Sequence, residues 1–549
     1  MTDASRSRAN PWAVLAVFAL GTFLTLLDLT IVNIAIPRIV DDTHAPLDGI
    51  LWMLNAYSLV YAVLLITSGR LGDLFGPRQL FAAGVAVFTV ASAFSGLSQD
   101  ATQLVLSRAG QGLGAALLAP QGLPMITSLF APNKRGGVFA IFGMLAGLAV
   151  VLGPTLGGLI VSSWGWRWIF YVNVPVGALI LALTVRVVPD VRPGRPHRLD
   201  ITGVALATAG LFAVVYGLIE GQRYDWGTIT GFVSIPFVIG IGIALLAIFL
   251  VQQARRQGRE PLLPFEIFAD RNFALMAFVL MAMGFAIVGV FFPLTIYFQS
   301  VLGLDAFSAG LTIAPQPVTM MLASGPIAML IQRGYAKRIL FIGLLLFVAG
   351  MGHVAYTASA EGDRWALLPG LVVSGLGMAG VWTPLFDLGT RTLQPRLAGA
   401  ASGVFSTIQE LGAVLATAVI GAVLQNRLAT SLPAEAAANA AHLPAPVRAL
   451  FVDGFSVAAK RGLEVGAGQS GTALQLPPGV SADLAAQIGQ VAHVVFTHAF
   501  VDAMRPAMAL ALAVVFIAAL VMLRARQPRS ATALEVVEAA AYNEMERTS

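Results

Sequence analysis

Three ionisable residues stand inside long apolar runs of this 549-residue chain: Asp28 in the run 12–36, Arg108 in 101–124 and Glu410 in 399–424. A charge at the middle of a bilayer costs a few kcal/mol, so each is a candidate for function. Asp28 lies about four residues past the middle of its run and Arg108 about four before the middle of its own. With the first helix running outward and the fourth inward, both fall about 6 Å outside the midplane. Opposite charges at one depth imply a shared polar cavity. The chemistry open to a carboxylate there is proton uptake and release: burial disfavours its charged form, and a nearby guanidinium favours it. Glu410 lies near the middle of its run, beside Gln409 and Thr407. Each has a structural alternative: a helix–helix hydrogen bond for Asp28, a fixed counter-ion for Arg108, packing glue for Glu410. The other acids fall in loops or at run ends. Among them, Asp387 reads as an i,i+4 interfacial pair with Arg391, and Glu220 as solvated.

The elements that must position these residues are membrane helices. The chain is 57% apolar and 11% charged, with a mean hydropathy of +0.81; a soluble domain carries roughly 25% charged residues. That excludes a soluble globular protein, a disordered chain and a nucleic-acid binder. The absence of cysteine excludes disulfides and Cys-ligated zinc. A bilayer needs about 20 apolar residues per helix, and fourteen such runs are present: 12–36, 48–69, 79–98, 101–124, 137–160, 167–187, 201–220, 229–251, 272–298, 307–331, 338–357, 365–387, 399–424 and 498–523. The first lacks a signal peptide's short core and cleavage site and reads as a retained helix. Most Lys and Arg, among them Arg70, Arg78, Lys134, Arg135, Arg186, Arg255, Arg256, Lys337, Arg338, Arg524 and Arg526, fall on the side of both termini, which predicts cytoplasmic termini. The Ala-rich segment 425–497 faces outward, as either a solvated loop or a small ordered cap.

Several chemistries have no signal. No GxxxxGK[ST] loop exists, so ATP hydrolysis by this chain is excluded. Gly375, Gly377 and Gly380 spell GxGxxG, but mid-way along an apolar run, where close helix packing is the better reading. No metal site is predicted from the six His, and the GxSG-like string Gly468-Gln469-Ser470-Gly471 lies outside the membrane.

The turn between the second and third runs reads Gly69-Arg70-Leu71-Gly72-Asp73-Leu74-Phe75-Gly76-Pro77-Arg78. Its glycines allow a tight turn, and Asp73 with the two arginines can form an ion-pair latch. This resembles the signature loop of the major facilitator superfamily. Leu104, Arg108, Gly110, Gln111, Gly112 and Gly114 resemble the family's span-4 motif. Gly153, Pro154, Gly157 and Gly158 resemble its span-5 antiporter motif, with Ala149 where the motif usually has Gly. Leu27, Asp28, Thr30, Asn33 and Pro37 resemble the span-1 motif of the fourteen-span drug:proton antiporters. Supporting strings are Trp52, Asn55 and Tyr57 in span 2 and residues 166–175, with Trp166, Arg167, Asn173 and Pro175, opening span 6.

The resemblance implies an all-α polytopic membrane protein of major facilitator fold, with fourteen transmembrane helices: two six-helix bundles in pseudo-repeat plus an extra pair. The divisions are a cytoplasmic N-terminus (1–11), a first bundle (12–190), the extra helices with flanking loops (191–271), a second bundle (272–523, including 425–497) and a cytoplasmic tail (524–549). Faint internal echoes are Gly137-Val138-Phe139 with Gly403-Val404-Phe405, and Ser68-Gly69 with Ser324-Gly325; Met329 replaces Asp73 in the second copy. The implied function is proton-coupled efflux of amphipathic or cationic drugs across the bacterial plasma (inner) membrane, by a non-enzymatic monomer in the lipid bilayer. Its partners are a small-molecule substrate and protons, with no nucleic acid and no cofactor. Asp28, Arg108 and Glu410 are the expected proton-coupling residues, and Asn33, Asn55, Tyr57, Gln111 and Gln409 the expected cavity lining. Export of an endogenous antibiotic, lipid or siderophore on the same fold is the alternative; a non-transporting membrane sensor is the remote one.

Overall fold

The computed structural model describes residues 10–43, 47–130, parts of 138–153, 156–190, 200–221, 223–224, 226–257, 261–391, 393, 397–461 and 482–526. In the first half, α1 (Pro11–Thr43), α2 (Leu47–Phe75), α3 (Pro77–Leu97) and α4 (Ala101–Leu118) follow one another with tight turns. α4 bends through Ala119–Gln121 into α5 (Gly122–Leu129). The described residues between 138 and 164 are helical and form α6. Span 6 is split into α7 (Trp168–Tyr171) and α8 (Asn173–Val187). Pro175 cannot donate to the Tyr171 carbonyl four residues earlier, which leaves a turn at Val172.

Next come α9 (Ile201–Glu220) and α10 (Ile235–Arg255), joined by a hairpin of β1 (Thr228–Thr230) and β2 (Val233–Ser234). The run predicted from 229 therefore begins as a strand pair. Gly231 at φ +53 makes its turn, and Ser234 caps α10 just before Pro236. The second half holds α11 (Glu266–Ala269), α12 (Arg271–Ile296), α13 (Ala306–Ile313), α14 (Pro315–Leu330), α15 (Ala336–Thr357), α16 (Leu368–Thr390), α17 (Ala398–Asn439), α18 (Ala445–Arg461) and α19 (Ala482–Met522).

Twelve described helices are long and apolar enough to cross a membrane. The other two expected spans are 101–124 and 137–160. α4 falls short in apolarity because it carries Gln103, Ser107, Arg108 and Gln111, and α6 is described only in part. Exposed aromatics mark both ends of the apolar belt: Trp164, Trp168, Tyr356 and Trp365 at one, Trp12, Phe75 and Tyr335 at the other.

The two halves repeat one packing scheme. A Cβ at Gly112 of α4 would collide with the Tyr57 carbonyl of α2, and one at Gly114 with the Phe88 amide of α3. In the second half Gly375 meets the Gln316 carbonyl of α14 in the same way, and Gly377 the Phe347 amide of α15. The GxGxxG string thus does the helix packing expected of it.

α9 bridges the halves. Its Leu211 and Val215 pack with Leu59, Ala62 and Val63 of α2 and with Val414 of α17, and Tyr216 meets Trp52 at 5.9 Å. Ala207 and Phe249 join the large core of the second half. Glu220, expected to be solvated, is instead 3% exposed and paired with Arg223 at 3.0 Å. Segment 425–497 is largely helical where described. α17 and α19 run well beyond the bilayer and clasp α18 through Leu428, Leu432, Phe451, Phe455, Ile488 and Phe496, which favours the ordered cap.

At the opposite end Asp200 caps α9. Its buried carboxylate accepts from Gly203 N (3.0 Å), Gln252 Nε2 (3.0 Å), Gln253 Nε2 (2.7 Å) and Arg256 Nη1 (2.8 Å). Gln253 Oε1 in turn accepts from Leu263 N at 3.0 Å, tying the helix pair to the second half's core. Burial pushes the Asp200 carboxyl up, but the bonds from Gln252, Gly203 and Gln253 and the charge of Arg256 together bring it below its ordinary 3.8. A lowered folded value adds stability that is fully present above 3.8 and is lost as pH falls through it. Asp200→Asn is therefore expected to lower the melting temperature of the purified protein by about 2–4 °C at neutral pH. The two melting curves should converge in acid; equal melting at neutral pH would contradict the staple.

Candidate functional site

Asp28 and Arg108 are in direct contact, 0% and 1% exposed, with Arg108 Nη1 2.5 Å from Asp28 Oδ2. Five helices build the site. From α4, Gln111 Nε2 donates to Asp28 Oδ1 at 3.0 Å, and its Oε1 accepts from Arg108 Nη1 at 2.8 Å. From α8, Asn173 Nδ2 donates to Asp28 Oδ1 at 2.9 Å. From α3, Ser92 Oγ accepts from Gln111 Nε2 (3.1 Å) and Asn173 Nδ2 (3.0 Å), and Ser95 Oγ donates to Gln111 Oε1 (3.2 Å). From α2, the Tyr57 ring lies 4.6 Å under the guanidinium, and the Met53 carbonyl accepts from Arg108 Nε at 3.4 Å. Among the described residues, every hydrogen-bond partner of the Asp28 carboxylate is a donor. This is a fully coordinated anion.

Asp28 and Arg108 thus meet, but in a sealed network and not in the shared polar cavity expected of them. Two expected cavity residues are placed otherwise: Gln111 (0% exposed) and Tyr57 (1%) are sealed inside the network. Ser92, Ser95 and Asn173 are the side chains of the network that sequence reasoning did not assign. The signal was there: serines at 92, 95 and 98 in an apolar run, and an asparagine two residues before a proline where span 6 opens. Asn33 lies on α1, but its side chain is outside the described residues, as is Pro154 altogether. Asn55 is half-buried without a hydrogen-bond partner among the described residues. The Gln409 carbonyl packs against Gly284 of α12, which ties α17 into its own half.

Glu410 is not part of the Asp28 network. It is half-buried on α17, without an ion-pair partner among the described residues, and within electrostatic reach of Tyr57 and Tyr61. Those two rings stack at 6.0 Å. Tyr57 thus has the Asp28–Arg108 pair on one side and, through Tyr61, the carboxylate of the other half on the other.

The 69–78 turn lies where the halves meet. A Cβ at Gly69 would stand 2.6 Å from the Gly399 carbonyl, and one at Gly403 3.0 Å from the Leu65 carbonyl, so α2 and α17 touch backbone to backbone. Asp73 sits directly against Gly399 in the first turn of α17, where free amides and the helix dipole favour an anion. Arg70 lies 3.9 Å from Asp73. Arg78 takes no part in a pair with Asp73: its Nη2 donates to Val185 O at 2.8 Å, closing the end of α8. Gly72 is required because a Cβ there would collide with Gln121, and Gly76 because its φ is +93. Phe386 of α16 packs with Leu123, Ile126 and Phe130 at the same end, and Asp387 pairs with Arg391 at 3.3 Å as expected.

On α6, Gly153 is pressed against Thr30 and Gly157 against Ile31, at 2.8 Å from a Cβ to Ile31 Cγ1. Thr30 Oγ1 donates to Ala149 O at 3.2 Å. Residues 149, 153 and 157 therefore form one small-residue stripe on α1, next to Asp28. Gly158 is outside it, with nothing within 4 Å.

Apolar helices in two similarly packed halves, one enclosing a buried ion pair, define a polytopic membrane transporter. The chain belongs to the Major Facilitator Superfamily, whose family profile matches residues 18–417. It is a transporter and not an enzyme. It is 38% identical over 496 residues to an uncharacterized MFS-type transporter of Mycobacterium tuberculosis, covering 89% of this chain and 80% of the relative. It is 33% identical over 434 residues to the tetracenomycin C resistance and export protein of Streptomyces glaucescens, covering 79% of each. The solved structure of the human organic anion transporter MFSD10 shares the fold, with a TM-score of 0.51 at 15% identity over 75% of this chain and 93% of that one.

The α6 stripe separates two neighbouring glycines. Gly157→Leu should reduce transport at least about tenfold by prising α6 from α1, while Gly158→Leu should stay within about twofold of wild type. Equal effects in a transport assay at matched expression would refute the stripe.

Proposed function

We propose that the chain is a proton-coupled efflux antiporter of the bacterial plasma membrane, exporting amphipathic or cationic compounds by alternating access. The observation that carries this reading is the sealed Asp28–Arg108 pair, in which the carboxylate meets only donors. Hydrogen bonds of this kind favour the charged form of a carboxyl group, and withdrawing them favours the acid form. A cycle in which the bundles rock supplies that withdrawal, and the proton gradient supplies the energy without a cofactor. The divisions 1–11, 12–190, 191–271, 272–523 and 524–549 serve as the working domain plan, and a single copy suffices.

The Lys and Arg bias supports placing both termini and the 69–78 turn in the cytoplasm. On that reading, the Gly69–Gly399 and Asp73 contacts close the cytoplasmic side, and the arrangement is outward-facing. Asp73 then acts on the cycle and not on substrate choice, and Asp28 and Arg108 are the coupling pair. Export of an endogenous compound is the second reading, favoured by the likeness to a tetracenomycin C resistance and export protein. A resistance profile against dyes and antibiotics in an expressing strain separates the two.

Asp28→Asn keeps size and hydrogen bonding but cannot titrate. It should abolish extrusion against a gradient while leaving downhill exchange of substrate. Gradient-driven extrusion by the variant, at equal expression, would defeat the assignment.

Glu410, lacking a cationic partner among the described residues and within electrostatic reach of two tyrosines, suits pairing with a cationic substrate. Glu410→Gln should weaken apparent affinity for mono- and divalent cations about tenfold and leave neutral compounds unchanged. Equal loss for all three would make Glu410 a second proton site; no loss would return it to helix packing.

A further inference from the structure

The donors on Asp28 are not equivalent. Arg108 Nη1 takes Oδ2, while Gln111 Nε2 and Asn173 Nδ2 share Oδ1. Ser92 decides which way both amides face. Its hydroxyl donates to the Phe170 carbonyl at 3.0 Å, so its oxygen offers the amides only lone pairs, and each must turn its NH2 towards it. Gln111 is tethered a second time, through an Oε1 that accepts from Arg108 and Ser95. Among the described residues Asn173 is held by Nδ2 alone, to Asp28 and Ser92.

That difference bears on what the site does when a proton arrives. A carboxylate accepts hydrogen bonds, whereas a carboxylic acid must also donate one. As arranged, Asp28 is surrounded by donors, and the acid form has nowhere to direct its hydrogen. Half a turn of the Asn173 amide exchanges Nδ2 for Oδ1 and supplies the missing acceptor. The same turn offers oxygen to Ser92, whose hydroxyl then swings from the Phe170 carbonyl to Asn173. Phe170 belongs to α7, and Asn173 opens α8 across the turn at Val172. The released carbonyl is therefore at the break in span 6, where backbone can respond.

We propose that Asn173 is a positioning residue that reads the protonation of Asp28, donating to the carboxylate, turning over to accept from the acid, and passing the change through Ser92 to the α7–α8 turn. The inference rests on Asp28 as the proton carrier. The proton adds to one Asp28 carboxylate oxygen and later leaves it; Asn173 and Ser92 reorient and neither gain nor lose protons. The charged and titratable groups facing Asp28 among the described residues are Arg108 from α4 and Tyr57 from α2. α3 and α8 contribute Ser92 and Asn173, and α6 packs on α1 through small residues, none of which titrates.

The test uses the full chain in liposomes with ethidium as probe, transport being followed across a pH series under an imposed pH gradient. In parallel, the infrared band of a protonated carboxylic acid is titrated and assigned by its loss in Asp28→Asn. Asn173→Leu removes a donor to the ionised form, so both pH midpoints should rise by about one unit, a tenfold gain in proton affinity. Asn173→Ala serves equally should the leucine variant not fold, and Asn173→Gln, which keeps the amide, should fall between it and wild type. A role in packing alone would lower the rate without moving either midpoint. Unchanged midpoints in the leucine or alanine variant overturn the proposal. Failure of the reading beneath it has a different signature: wild-type transport indifferent to the pH gradient, or no carboxyl band lost in Asp28→Asn.

Discussion

An aspartate and an arginine shut away from water within one helical bundle set the terms for everything around them. Removing two such charges from solvent costs several kcal/mol each, and their attraction repays this only when the remaining lone pairs and protons are satisfied. Neither α1 nor α4 can supply those partners alone. The site therefore needs Asn173 from α8, Ser92 from α3 and the Tyr57 face from α2, which is to say that five helices must converge at one depth. Glycines at 112 and 114 make that convergence possible by letting α4 sink against α2 and α3.

The same close approach recurs in the second half at Gly375 and Gly377, yet without the chemistry. Four residues before Gly112 stands Arg108; four before Gly375 stands Leu371, fully buried among apolar neighbours. Backbone geometry is thus shared by the halves, but the arginine at this position is found in one alone. The second half carries instead a carboxylate, Glu410, that is half-buried and within electrostatic reach of Tyr57 and Tyr61. Two acids of the same chemistry stand in opposite circumstances, one saturated with donors and one with no ion-pair partner among the described residues.

Much of this was legible in the sequence, because hydropathy and residue depth are properties of single helices. The positions of Asp28 and Arg108 within their runs were enough to bring them together, and the 69–78 glycines announced a turn. Partners that depend on helix rotation were not legible. Gln111 and Tyr57 looked like cavity lining, but their sides of α4 and α2 face the bundle interior. Arg78 looked like a partner for Asp73, but Gly76 turns the chain so that it reaches Val185 instead. Segment 425–497 read as loop or cap because its alanines favour helix without advertising a buried face, and that face appears only when Phe451 and Phe455 meet α17 and α19. Glu220 was misread because its burial comes from tertiary packing and from Arg223 three residues on.

α17 begins against Asp73 and is helical over 42 residues to Asn439, with Pro433 near its far end. At 1.5 Å per residue that is a rod of about 63 Å, some twice the hydrocarbon thickness it crosses. One end touches the seam between the halves, and the other forms part of the cap outside the bilayer. Such a rod is a lever. A tilt of about 10° about its inner end carries the tip through about 11 Å, so opening the seam by a small angle displaces the cap by roughly the diameter of a helix. The cap is thereby a mechanical readout of the seam, displaced far from the contact it reports.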